Sequence, residues 1–326
     1  MSEIIHEISI VIPVYQGETT LEPLIKEIEL LTHFQRTPDG HNFRVTEVIL
    51  VHDGAVDNSD IVMESIAARH PFVSLIWLSR NYGQHSATLA GMASTSSEWV
   101  VTMDEDGQHN PNDIGKMLDK AIESGAQLIY AKPINAPPHG RLRNKLSDLA
   151  KWIFVNLLGN QQIGRFHSFR FLRGEIARSL AAYCGVGVFL DVALSWVVAC
   201  SGSCPVMLRK ESSRRSGYNF LKLTAHFLRL VLSSGTKPLR FISFLGLFSI
   251  LLGLFISLYA LWGRLTARVP VQGWTSLIIV VCLFSGLILF SLGIIAEYIG
   301  LISNITMGRP LYLTVSRPNR NKVRRI

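Results

Sequence analysis

Five short apolar, largely β-branched runs punctuate the first part of the chain: ISIVIPV (8–14), EVILVHD (47–53), VSLIWLS (73–79), EWVVTMD (98–104) and AQLIYA (126–131). Between them, stretches such as TTLEPLIKEIELL (19–31) and NPNDIGKMLDKAIESG (110–125) place apolar residues three and four apart, the period of a helix with one buried face. In the second of these, Asn110 is the expected cap and Pro111 the expected first helical residue. The strand runs are nearly continuous in apolar character, which predicts burial on both faces. The expected fold class is therefore α/β, a mostly parallel sheet with helices on both faces. In such sheets ligands collect at the carboxyl ends of the strands. The polar residues that follow each strand are the candidates: Pro13 and Tyr15 to Glu18, Asp53, Arg80 to Gln84, and the acids Asp104, Glu105 and Asp106.

A different pattern begins after residue 240. Segments 241–263 and 274–296 contain no Asp, Glu, Lys or Arg. Roughly 23 residues of helix span about 34 Å, enough to cross a hydrocarbon core of about 30 Å. Two membrane helices are expected, joined by the short loop 264–273 into a hairpin. Lys222, Arg229, Lys237 and Arg240 precede the hairpin, and Arg309, Arg317, Arg320, Lys322, Arg324 and Arg325 follow it, against Arg264 and Arg268 in the loop. This bias predicts an integral protein of the cell (inner) membrane with the N-terminal region and the tail in the cytoplasm. The opening MSEIIHEISI has no basic, apolar and cleavable pattern of a secretory leader. Residues 219–235 set Phe220, Leu223, Phe227, Leu230 and Val231 opposite Lys222, His226 and Arg229, as in a helix lying in the headgroup plane. Residues 141–159 have a similar character.

The spans account for an overall composition that is 48% hydrophobic and 17% charged over 326 residues. The net charge of +8 is concentrated near the spans and in the tail, which favours anionic lipid over nucleic acid as the partner. Four cysteines without a CxxC pair read as reduced thiols, not as a disulfide frame or zinc site. The expected organisation is a catalytic domain over 1–218, an amphipathic helix over 219–238, the hairpin over 239–302 and a basic tail over 303–326.

Asp104 and Asp106 are hard oxygen ligands two residues apart at a strand end, with Gln108 able to add a neutral oxygen. Such a cluster suits Mg²⁺ or Mn²⁺, which typically take one or two carboxylates and complete their shells with substrate phosphate. An acidic loop that merely solvates the strand end is the alternative.

The motifs SIVIPVYQGE, EVILVHDGAVDNS, LSRNYGQHSATLAG and VVTMDEDGQHNPNDI, in this order, resemble family 2 glycosyltransferases of the GT-A fold. Within that family the chain is similar to the polyprenyl-phosphate sugar transferases, over nearly its whole length. The resemblance implies transfer of one sugar from a nucleotide-sugar donor to a polyprenyl phosphate, with inversion, in a homo-oligomer that is a tetramer by analogy. It implies that Asp104 and Asp106 are the DxD pair binding metal and donor diphosphate, joined by Gln108, and that Pro13, Tyr15, Glu18, Asp53 and Arg80 lie on the donor side. HSFRFL (167–172) resembles the family's GDFRLM segment, which sets Ser168 and Arg170 near the acceptor phosphate. SRRSGYNF (213–220) resembles the basic segment that closes over the site, bringing Arg214 and Arg215. FLDVALSW resembles the acidic segment of processive synthases and makes Asp191 a candidate base.

Four departures stand out: Gly17 for a usual Glu, His52 for the first Asp of VDDGS, Ala55 for its Ser, and Ser168 for the Asp of GDFRLM, often proposed as general base. Loss of a base matters for a hydroxyl acceptor. A phosphate monoester, with a second pKa near 6, is already mostly dianionic at neutral pH and needs none. Transfer to a lipid-linked or protein hydroxyl, or a catalytically altered scaffold, remain the competing expectations.

Overall fold

The structure, a computed structural model, describes residues 4–135, 166–209, most of 273–317 and scattered positions between 246 and 262. It begins with β1 (Ile5–Val14), α1 (Leu21–Glu29), β2 (Gln35–Arg36), β3 (Asn42–His52), α2 (Ser59–Arg69) and β4 (Val73–Leu78). There follow α3 (Gln84–Ala93), β5 (Trp99–Thr102), α4 (Asp113–Ser124), β6 (Leu128–Pro133), β7 (Arg170–Arg173), α5 (Gly174–Tyr183), α6 (Leu190–Val197) and β8 (Ser201–Val206). After these come α7 (Trp274–Thr306) and β9 (Thr314–Val315).

The strands form one sheet in the order β8-β6-β7-β5-β1-β3-β4-β9, with β2 paired to β3 outside this path. Among the described residues four pairs are parallel, β1 with β3 and β5, β3 with β4 and β6 with β8, whereas β7, β9 and β2 run antiparallel to their neighbours. The near-continuous apolar strands are explained by the two-layer burial. Ile8, Ile10, Ile12, Val14, Val48 and Leu50 face one core with α1, α2 and α4. Val11, Ile49, Val51 and Val100 face the other with α3, α5 and α6. Each fully buried aliphatic side chain contributes about 1.5–3 kcal/mol, so neither face tolerates a slip of one residue in register.

Close packing explains one glycine directly. A Cβ on Gly91 of α3 would lie 2.3 Å from Cγ1 of Val11, so only glycine lets this helix sit so deeply on β1.

Two sequence expectations shift. The helix expected to begin at Pro111 starts at Asp113, because Asn110 forms a turn first: its side chain accepts from the Asn112 N–H at 3.2 Å and its carbonyl from the Asp113 N–H at 3.0 Å. The fifth predicted run is displaced by two residues, pairing from Leu128 to Pro133.

The chain divides into two compact units, one comprising residues 1–217 and 310–326, the other 218–309. In the second, α7 is 33 residues long, and its stretch Phe284–Thr306, with a mean hydropathy of 1.9, is long and apolar enough to cross a membrane. Among the described residues of that stretch none is buried, and Leu289 is 69% exposed. The first expected span is described only at scattered helical positions from Gly246 to Trp262. The segments 141–159 and 219–235, expected to lie flat on a membrane, fall outside the described residues.

Candidate active site

β5 delivers its polar end to the centre of the sheet's carboxyl edge. There Asp104 accepts a hydrogen bond from the Gln84 amide at the start of α3 and another, at 2.6 Å, from the Ser168 hydroxyl just before β7. The Asp104 backbone N–H donates to Nδ1 of His109 at 3.0 Å. That bond leaves the imidazole proton on Nε2, which faces Oδ2 of Asp104 at 3.8 Å. His109 is buried and stacks on Phe169 at 4.8 Å. Burial keeps it uncharged, pushing its pKa down, and also holds nearby His167 down at about 4. Asp104 is thus met by neutral donors, and burial raises its pKa against the opposing pull of the Ser168 hydrogen bond and the Arg170 charge. Asp106 accepts from the Gln108 N–H at 3.0 Å.

This carboxylate pair tests whether a divalent ion fits. Among the described residues no group of three or more His, Cys, Asp and Glu side chains converges as a cation cage. The chain offers instead two carboxylates and the Gln108 amide, an all-oxygen set that suits Mg²⁺ or Mn²⁺ shared with a diphosphate.

The middle acid has another use. Glu105 is 8% exposed and grips the loop after β1, its two oxygens accepting from the Tyr15 N–H at 2.8 Å and the Gln16 N–H at 2.9 Å. Its use differs from that of Asp104 and Asp106 because the chain leaves β5 at Thr102 and turns at residues 105–106. Pro13, one residue before the end of β1, is in register with Val51. Glu18 bridges to the next strand-end loop, accepting from the backbone and side-chain N–H groups of Asn58 at 3.1 and 2.9 Å. Asp53 holds a third loop, accepting from the N–H groups of Tyr82 (2.6 Å) and Gly83 (2.8 Å). Burial pushes its pKa up to about 6, although both hydrogen bonds favour the anion. Next to it, Gly54 has φ +64°, and a Cβ there would come within 2.7 Å of the Asn81 nitrogen. The two loops are locked by that close approach. Arg80 lies over the Tyr82 ring at 4.7 Å.

Arg170 and Asp191 have a setting different from the one expected. They form a buried two-point ion pair, Nε to Oδ1 at 2.6 Å and Nη2 to Oδ2 at 2.7 Å, with Arg170 4% and Asp191 5% exposed. The Tyr130 hydroxyl donates to Asp191 at 3.1 Å, and the third Arg170 nitrogen donates to Thr102 Oγ1 and the Ser168 carbonyl. A carboxylate with both oxygens engaged by a guanidinium is a poor proton acceptor, and a guanidinium so engaged has little left for a phosphate. The pair instead braces the strand ends that present Ser168 to Asp104.

Arg209, unremarked in the sequence, tethers the chain beyond β8 to the loop after Asp106. Its N–H donates to the Gln108 carbonyl at 3.0 Å, and its guanidinium binds Asn110 at 2.8 Å and Glu27 at 2.9 Å. No local pattern announces this contact, because its partners lie about one hundred residues away or more. Arg214 and Arg215 follow shortly after and fall outside the described residues.

The model of the glycosyl transferase family 2 matches residues 9–180, more than half of the chain and all four strand ends that build the carboxylate site. The chain belongs to glycosyl transferase family 2. Among its relatives in the family, a bactoprenol glucosyl transferase of Shigella phage SfX is 26% identical over 320 residues, covering 95% of this chain and 99% of that protein. An undecaprenyl-phosphate 4-deoxy-4-formamido-L-arabinose transferase of Shewanella sediminis is 29% identical, covering 94% and 90%. A solved glucosyl-3-phosphoglycerate synthase of Mycobacterium tuberculosis, in complex with Mn²⁺, UDP and product, superposes with a TM-score of 0.51 at 18% identity, over 71% of this chain and 80% of that one. The α/β fold of this family 2 chain is accordingly GT-A-like.

Proposed function

We propose that this family 2 enzyme transfers one sugar from a nucleotide-sugar donor to the phosphate of a polyprenyl phosphate at the cytoplasmic face of a membrane. The observation that carries the reading is the pairing of Ser168 with Asp104, together with the capture of Asp191 by Arg170. The two positions where a general base was expected hold a hydroxyl that donates and a carboxylate that is neutralised. An acceptor that is already anionic needs neither. The relatives named for bactoprenol and undecaprenyl phosphate over their whole lengths support the same acceptor class.

In this reading an acceptor phosphate oxygen attacks the anomeric carbon from the face opposite the leaving group. A new C–O bond forms, the bond to the nucleoside diphosphate breaks with its electron pair on the departing oxygen, and the anomeric centre inverts. Asp104, Asp106 and Gln108 would hold a divalent ion, which supplies charge neutralisation for the leaving diphosphate. Gln84, Ser168 and His109 keep the Asp104 carboxylate aimed. Pro13, Tyr15, Glu18, Asp53 and Arg80 shape the donor side through the interlocked strand-end loops, and Arg214 and Arg215 screen the acceptor phosphate. Arg170 and Asp191 position the floor of the site.

Two membrane helices, at 241–263 and within α7, complete the reading. An uncovered apolar helix of this length has no favourable place in water.

The deciding experiment offers the purified full chain a panel of nucleotide sugars with either undecaprenyl phosphate or undecaprenol, with and without EDTA. Product from the phosphate alone, abolished by EDTA, is expected. Product from the alcohol, or a chelator-insensitive product, would overturn the proposal.

A further inference from the structure

The chain beyond α7, which reads in the sequence as part of a basic tail, returns to the catalytic sheet. β9 pairs antiparallel with β4, Val315 opposite Trp77 and Thr314 opposite Leu78. The ladder continues one step further, the Ser79 N–H donating to the Leu313 carbonyl at 2.9 Å. Hydrogen-bonded pairs alternate along such a ladder, so with the Ser79–Leu313 pair bonded, Trp77–Val315 is the next bonded pair. Leu311 and Tyr312 pack against the core on the α3 side, where Tyr82 also packs. Arg317 closes the attachment on α2, 2.7 Å from Glu64 and 4.0 Å from Asp60.

Without β9, β4 would be the outer strand, and the residues it feeds would be anchored from one side only. Those residues are the donor-side loop. Ser79 leads directly into Arg80, Asn81, Tyr82 and Gly83, the loop gripped by Asp53, and then to Gln84, which bonds Asp104. Trp77, opposite Val315, also packs on His52 at 4.9 Å, immediately before Asp53. Both ends of the Asp53 clamp are therefore backed by the same returning segment.

We infer that residues 311–317 form a strap that positions the loop from Ser79 to Gln84, and through it the donor side of the site. A two-residue strand is weak alone. The strap has three kinds of attachment, a backbone ladder, an apolar pair and an ion pair, and each can be loosened separately. The inference rests on the proposed function only for the identity of the ligand as a nucleotide.

The test uses the full chain in detergent with Val315→Pro, which removes a ladder N–H, and Arg317→Glu, which sets like charge against Glu64, with Arg317→Lys as the conservative control. Amide hydrogen exchange over residues 77–84 is read alongside binding of UDP with Mn²⁺ and the KM and kcat for whichever donor supports transfer. Val315→Pro should speed exchange at Ser79, Tyr82 and Gly83 and weaken UDP by about fivefold, on the scale of one lost hydrogen bond, raising KM more than kcat. Arg317→Glu should act in the same direction and Arg317→Lys should restore the parent values. Unchanged exchange in Val315→Pro would overturn the strap, and so would faster exchange with unaltered UDP affinity. Should the parent chain bind neither UDP nor any other nucleoside diphosphate with Mn²⁺, the functional reading fails, while the exchange comparison still decides the strap.

Discussion

Single residues divide the work of the three consecutive acids. Asp104 accepts from Gln84 and Ser168 and Asp106 from the Gln108 N–H, whereas Glu105 is buried and holds the loop after β1 by two backbone N–H groups. Glu105→Ala should therefore raise the donor KM by about tenfold with little change in kcat, since two charge-assisted hydrogen bonds to the Tyr15–Gln16 backbone are lost; steady-state kinetics check it. Asp53 gives a pH signature. Its folded pKa, about 6, lies above its ordinary value of 3.8, so between those values the folded protein binds more of this proton than the unfolded chain. Stability from this group is present at low pH and is lost as pH rises through about 6, by at most about 3 kcal/mol. Asp53→Asn should flatten that decline in the pH dependence of thermal unfolding. Neither the inward use of Glu105 nor the pairing of Asp53 with a loop thirty residues away was legible in the sequence, because both depend on loops brought together by the fold.

At the scale of elements, the close seating of α3 on β1 and the buried brace between β7 and α6 keep the strand ends in place. Gly91→Ala should destabilise the protein by about 1–3 kcal/mol, because the added methyl would meet Val11 inside a well-packed core. The brace makes a sharper prediction. Asp191→Asn alone should cost about 3–5 kcal/mol by leaving the Arg170 charge buried without its partner, while Arg170→Met with Asp191→Leu should recover most of that stability. Denaturant unfolding of the single and double variants tests it. A catalytic base would behave differently: its loss would abolish turnover in a protein of unchanged stability. The sequence made both residues look like chemistry because they sit in motif-like segments beside the site. Their mutual contact, across twenty-one positions, is a product of α6 packing under β6 and β7.

Taking the molecule whole, α7 separates the body of the catalytic domain from its own last strand in the chain order. Under the proposed topology, the N-terminal domain and the strap lie on one side of the membrane and the loop at 264–273 on the other. A reporter active only outside the cytoplasm, fused within 264–273, should be active, and the same reporter fused after Ile326 should be silent. The reverse pattern would place the site on the wrong side for a cytoplasmic nucleotide donor.

What the sequence determined by itself was whatever depends on local pattern. Both-face burial of short β-branched runs implied the mostly parallel α/β sheet, and long uncharged stretches marked the apolar helix. What the tertiary structure decided was which polar groups are free. Ser168 and Gln84 converge on Asp104, Arg170 neutralises Asp191, Arg209 anchors the chain just beyond β8, and the tail becomes the strap beside β4. The physical reason is common to all four. A side chain's chemistry is set by the charges and donors within a few ångströms, and here those neighbours come from positions twenty to more than two hundred residues apart.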